Sequence, residues 1–300
     1  MLRSFKRAPA VVSKDWSRLA IYADRSIIVL NKPPYLICQG SQDADVGTDE
    51  KPRDRDADKF NDLLEDLRGH FHLEKIPHAV HRLDKATTGA LVLAKNLTAA
   101  RQLSQQFQNR TIGKTYLALV RGGEKSFPAR SGEIRDAIES INGRVSISQS
   151  CNAKFAATDW ELIASSPKAP VSLLRLTLHT GLKHQLLVCR TPGLSTFVWT
   201  ANMQLPRAQG SLTDIRESRM FLHASRLSLT RFRKTGPNKR FRLDIAAALP
   251  GDFVSLCKDV GIPLNNCDVS GGLFIDGEPA GSEILDLEGK WLRPTHRTLD

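Results

Sequence analysis

Apolar runs of strand length, each ended by a turn or a break, constrain this chain more than any other feature. Ile27-Ile28-Val29-Leu30 runs into Asn31-Lys32-Pro33-Pro34, so Tyr22–Leu30 reads as a buried strand halted by prolines. Ala90–Ala94 is a second such run, directly after Gly89. Lys114–Val120 alternates, with Tyr116, Ala118 and Val120 on one face and Thr115, Leu117 and Leu119 on the other, until Gly122-Gly123 ends it. Further strands are expected around Val145–Ile147, Thr158–Ile163 and Val171–Leu178, and at Phe221–Leu229 and Phe241–Ile245 on either side of Gly236-Pro237. No run approaches the ~20 apolar residues that a membrane-spanning helix needs, so no membrane partner is expected.

Helical spacing is rarer. Leu97, Ala100, Leu103 and Phe107 fall on one helix face, with Asn96 as the N-cap. Asn61–Leu67 reads as a short helix, and His184–Cys189 opens another after the break at Thr180-Gly181. There are no internal repeats. The pattern is α+β: a mixed sheet with helices, most simply one domain over residues 18–255. Residues 41–59 are charged and poor in large apolar side chains, which predicts a flexible surface insertion. Nothing beyond Leu264 carries a usable pattern, so 256–300 is set aside as a C-terminal extension of unknown role.

Charge narrows the partners. The net charge is +11, and residues 41–60 hold seven acids against four bases, so the rest of the chain is more basic still. Such a body attracts polyanions. Cys38, Cys151, Cys189, Cys257 and Cys267 form no C-x-x-C pair and are odd in number, which argues against a disulfide framework or a zinc knuckle and suits a reducing compartment. Four bases and no acid precede Asp15, so residues 1–17 are either a mitochondrial presequence or a basic tail.

The chemistry centres on His81-Arg82-Leu83-Asp84-Lys85-Ala86-Thr87-Thr88-Gly89, a polar turn leading into a buried strand. Such a turn can hold a carboxylate fixed yet open to substrate; read alone, Asp84 is more simply a loop residue capping a turn. The run is not the kinase His-Arg-Asp loop, and no dinucleotide fingerprint, P-loop or metal-ligand spacing accompanies it.

Several stretches in order resemble the RluA family of RNA pseudouridine synthases: Asn31-Lys32-Pro33, His81–Gly89, Lys114–Val120, Thr180–Leu186 and Leu222-His223-Ala224. The likeness spans about residues 20–255, and the Gly-x-Lys-His-Gln form is similar to the branch acting on mitochondrial large-subunit ribosomal RNA. It implies a central, largely antiparallel sheet with flanking helices and a basic cleft. It also implies isomerisation of uridine to pseudouridine in RNA by a cofactor-free monomer. Asp84 and Tyr116 would be catalytic, and Arg82, Lys114, Lys183, His184 and Arg190 would bind RNA. The implied compartment is the mitochondrion, the alternatives being cytoplasm or nucleus.

Two family arginines are replaced. Leu182 stands at one, and Leu187 at the one that usually pairs with the catalytic Asp; Lys183 and Arg190 are neighbouring cations that can substitute. The family's Gly-Asp-x-x-Tyr segment is not recognisable between Pro192 and Gln209. The alternative function is therefore a catalytically impaired homologue that binds RNA and assists ribosome assembly.

Overall fold

The computed structural model describes residues 16–38, 55–188, 219–235, 237 and 239–292. Expectations that fall on the N-terminus up to Asp15, on 41–54, on Cys189, Arg190 and onward to 218, and on Gly236 lie outside them. The described chain runs β1 (Ala20–Ala23), β2 (Ile27–Lys32), α1 (Arg55–His70), β3 (His78–Ala79), β4 (Thr88–Ala94), α2 (Leu97–Gln108), β5 (Gly113–Arg121), β6 (Ser131–Ile141), β7 (Arg144–Ile147), β8 (Lys154–Ser165), β9 (Val171–Leu178), α3 (Gln185–Val188), β10 (Leu222–Phe232), β11 (Arg240–Ala246), α4 (Gly251–Val260), α5 (Asn266–Ser270), β12 (Gly272–Ile275), β13 (Glu278–Pro279), β14 (Glu283–Ile284) and β15 (Gly289–Trp291). These strands form one 15-stranded, largely antiparallel sheet along β14-β15-β1-β2-β4-β10-β5-β9-β8-β6-β7. The fold is α+β, as the apolar runs imply.

Both faces of the central strands are covered, which is why their sequences read as continuous apolar runs. On one face Ile28, Leu30, Leu91 and Leu93 meet Phe60, Leu63, Leu64 and Leu67 of α1. On the other, Val29, Ala90, Val92 and Ala94 meet Ala99, Ala100 and Leu103 of α2. Asn96 caps α2 by accepting from Ala99 N at 2.9 Å, a bond worth about 1 kcal/mol. The alternation in β5 divides in the same way. Ala118 and Val120 join one cluster, while Leu117 and Leu119 pack on Phe253, Leu256 and Cys257 of α4.

Three expectations need correction. Tyr22–Leu30 is two strands rather than one, because Asp24 breaks it: its Oδ1 accepts from Ser26 N and Ile27 N, and its Oδ2 from Tyr22 Oη and Arg231. The expected insertion at 41–59 ends sooner, since α1 begins at Arg55; its i, i+3, i+4, i+7 stripe from Phe60 to Leu67 buries itself while the acids and lysine around it stay exposed. Of the expected extension at 256–300, the described residues up to Leu292 are not separable from the sheet. Leu256 lies inside α4, β12 pairs with β11, and β15 pairs with β1.

In the middle of the sheet lies a short seam. β4 and β10 are parallel and touch through His223↔Thr88 and Ala224↔Gly89. His223 stitches that seam. Its Nδ1 lies 2.9 Å from Thr88 Oγ1 and its Nε2 3.1 Å from the Ala247 carbonyl, which assigns the proton to Nε2 and leaves Nδ1 to accept.

Candidate active site

Along the β3/β10 edge of β4, β10 stops pairing at Gly89 and β3 begins at Leu93. Val92 N faces the gap, and the His81 imidazole fills it, accepting from Val92 N through Nε2 at 2.9 Å. The ring stacks on Phe107, with centroids 4.6 Å apart. His81 thus closes the strand edge. From there the chain alternates: Arg82 is exposed, Leu83 is buried against α1, and Asp84 is partly exposed at the base of a cleft. A turn closed by Thr87 N donating to the Asp84 carbonyl at 3.0 Å carries the chain into β4.

Beneath this turn lies Lys32, fully buried at the end of β2. Its ammonium donates to the carbonyls of Pro33 at 3.0 Å, Leu36 at 2.9 Å and Lys85 at 3.1 Å, using all three protons. Tyr35 N also donates to the Lys85 carbonyl, at 2.7 Å. The residue after Asp84 is therefore pinned from below. Burial pushes the Lys32 ammonium down to about 8, and the Asp84 charge works in the opposite direction.

The cleft is about 410 Å³, within the size range of small-ligand sites. It brings together Arg82, Asp84, Lys114, Tyr116, Lys183 and His184, from three separate stretches of sequence. Arg190 is outside the described residues. Lys114 Nζ donates to the Thr180 carbonyl at 3.0 Å and ties β5 to the turn after β9; burial lowers its pKa, and the neighbouring Arg110 adds to the effect. Tyr116 stands on β5 across from Asp84. Burial, and then the Asp84 charge, raise its phenol well above the ordinary value, so it stays protonated at neutral pH. His184 Nε2 lies 3.7 Å from Asp84 Oδ1. Leu187 is 36% exposed and does not line the cleft.

Arg110, Phe107 and Lys32 were not picked out as site residues from the sequence. Arg110 is a cleft cation in the left-handed conformation, φ 55°, at the exit of α2. No local pattern marks it, because its place depends on how α2 hands over to β5. Lys32 did have a signal: a lysine inside an apolar strand just before two prolines is a candidate buried charge.

The two imidazoles make the fold acid-sensitive. Burial pushes His81 to about 3 and His223 to about 4, from an ordinary 6.5. Both are depressed, so their contribution is complete above the unfolded value and is lost as pH falls towards the folded values. Urea midpoints between pH 7 and pH 5 should show a loss of about 2 kcal/mol for each histidine. His223→Gln should flatten that slope; an unchanged slope would contradict the buried neutral ring.

The family model described as RNA pseudouridylate synthase matches residues 26–189, more than half of the chain. Ribosomal large subunit pseudouridine synthase D of Borreliella burgdorferi is 35% identical over 172 residues, covering 56% of this chain and 49% of its own length. The chain thus spans about half of that relative. Mitochondrial pseudouridylate synthase RPUSD4 of Rattus norvegicus is 27% identical over 297 residues, covering 87% of this chain and 74% of its own. Among solved structures, human RNA pseudouridylate synthase domain containing 4 superposes with a TM-score of 0.57 at 24% identity, over 85% of this chain and 98% of that one, a likeness of fold.

Proposed function

The chain belongs to the RNA pseudouridylate synthase family, and on that premise we propose that it isomerises uridine to pseudouridine in RNA, with Asp84 as the reacting carboxylate. The observation that carries this reading is the convergence of Asp84, Tyr116 and the cations Arg82, Arg110, Lys114 and Lys183 on one cleft. A cleft of about 410 Å³ admits a nucleoside but not a duplex, so the uridine is flipped out, at a cost of a few kcal/mol. The glycosidic C1′–N1 bond breaks, uracil turns, C1′ bonds to C5, the C5 hydrogen leaves as a proton and N1 gains one. No atom is gained or lost overall.

Asp84 acts either as the nucleophile or in assistance to glycosidic cleavage. Tyr116 stacks on the uracil, worth roughly 1–3 kcal/mol. Its protonated phenol suits it to donate a hydrogen bond to the turning base, and to take up the C5 proton only after losing its own. Arg82, beside the nucleophile and exposed, fills the vacated stack or holds a flanking phosphate. Lys114, Lys183 and Arg110 hold phosphates along the cleft. Lys183→Ala and Arg110→Ala should each weaken RNA binding across sequences and lower the slope of log K against log salt by about 1. An unchanged slope in both would remove the cleft from the RNA path.

The substrate we propose is mitochondrial large-subunit ribosomal RNA. The supports are relatives whose names carry "mitochondrial" or "ribosomal large subunit", and the run of four bases before Asp15. Pseudouridine mapping of total and mitochondrial RNA, with and without the gene, tests it. Loss of one or a few sites in that ribosomal RNA is expected. If no site is lost while the RNA stays bound, the assembly-factor reading, which Leu187 in place of the usual arginine favours, replaces it.

A further inference from the structure

Asp84 and His184 reach the cleft from different elements, one from the turn before β4 and the other from the turn after β9, and meet with Nε2 3.7 Å from Oδ1. We propose that His184 is a positioning residue for Asp84, its imidazole ring holding the carboxylate in the orientation that attacks the flipped nucleotide. The proposal rests on the reading of Asp84 as the reacting group.

The segment around His184 is built to fix one side chain. His184 has φ 53°, a left-handed conformation that side chains other than glycine keep only where the surroundings hold it. The next residue does the holding. The Gln185 amide is buried and saturated: Oε1 accepts from Thr180 Oγ1 at 2.7 Å and Leu182 N at 3.1 Å, while Nε2 donates to the Ala157 carbonyl at 3.2 Å and Thr158 Oγ1 at 2.8 Å. Leu186 is buried in the core, and Leu187 N donates to the His184 carbonyl at 2.9 Å. The chain on both sides is thus anchored to β8 and the core, and His184 is left turned to the cleft with its side chain 33% exposed.

Lys32, a buried cation whose charge is felt at Asp84, is already engaged: it gives its three protons to carbonyls. The His184–Asp84 separation exceeds a hydrogen bond and lies within ion-pair reach, so the positioning proposed is by a positive charge at position 184. A positioned carboxylate gains in rate rather than in affinity, because RNA is held by the phosphate-facing cations around it.

The test is single-turnover release of tritium from unmodified ribosomal RNA transcripts carrying uridine labelled at C5, with filter binding of the same RNA. His184→Asn tolerates a left-handed backbone but carries no charge, and should slow release by about 10- to 100-fold with affinity nearly unchanged. His184→Lys should recover most of that rate and His184→Gln, equally strained in its backbone, should not. Wild-type speed in His184→Asn, equal rates for Lys and Gln, or a loss lying wholly in affinity would each overturn the proposal. Crystal structures separate it from the parent reading, since they need no turnover. Asp84 should occupy one rotamer in the wild type and several in His184→Asn, and an unchanged rotamer overturns the pairing even if the wild type releases no tritium.

Discussion

Asp84→Asn reduces tritium release by at least ~10⁴-fold and leaves RNA affinity unchanged or slightly tighter. The substitution keeps the size and polarity of the side chain and removes its charge. The turn does not depend on that charge: it is closed by the backbone bond from Thr87 N to the Asp84 carbonyl and pinned by Lys32 under the Lys85 carbonyl. Leu83 stays packed against α1. A neutral amide can serve neither as the nucleophile nor as an anionic aid to glycosidic cleavage, so the chemical step should be lost. RNA loses nothing, because removing one anion from a cleft lined by Arg82, Arg110, Lys114 and Lys183 lowers repulsion towards phosphate. A thermal melt close to wild type completes the expected result. Normal turnover by the Asn variant would remove Asp84 from the chemistry.

Much of the fold was legible because the physics is local. Ile27–Leu30 and Ala90–Ala94 are buried on both faces, and a strand of that kind announces itself as an unbroken apolar run. Asn96 and the Leu97–Phe107 spacing predict the start of α2 to the residue, since a cap and a stripe are both short-range signals. The β1–β2 turn was missed although its signal is local, Asp24 Oδ1 accepting from Ser26 N and Ile27 N; the sequence hides only what buries that carboxylate, its pairing with Arg231 more than 200 residues away. The C-terminal strands were missed for a non-local reason. β12 to β15 are short, with few alternations to read, and exist as strands because β11 and β1 offer them edges.

The candidate site divides along the same line. Arg82, Asp84, Lys114, Tyr116, Lys183 and His184 sit in motifs, and the structure brings all six to one cleft. What the motifs could not give is which cation faces the carboxylate. In a sequence, position 187 is the natural place to look; in the fold the left-handed turn at His184 sends that side chain to Asp84 and leaves Leu187 outside. One residue with positive φ redirects every side chain after it, and no pattern of residue types states where that happens.

The largest structural effect is expected from Gly89→Ala. Gly89 has φ 109°, a conformation in which any Cβ is strained. Space is also lacking: a Cβ there would meet the Ala224 backbone, 2.3 Å from its oxygen and 2.7 Å from its nitrogen. Those atoms belong to the strand on the far side of the seam and cannot swing aside as a side chain would. Gly89 is held on its other edge by Lys32 of β2, so β4 cannot retreat without breaking the pairing that also carries the buried ammonium. Backbone strain of about 1–3 kcal/mol and overpacking of about 1–3 kcal/mol act together, giving a loss near 4 kcal/mol. For a chain of this size that lowers Tm by roughly 10 °C. The joint between β4 and β10 consists of two residue pairs, so the damage falls on the contact that unites the two parts of the sheet. Asp84 lies five residues earlier, so turnover should fall even in the fraction that folds. Gly69→Ala near the end of α1, where a Cβ meets nothing within 4 Å, is the matched control and should be neutral or stabilising by up to about 1 kcal/mol. Equal melting of the two variants would mean that β4 and β10 do not meet as closely as the seam requires.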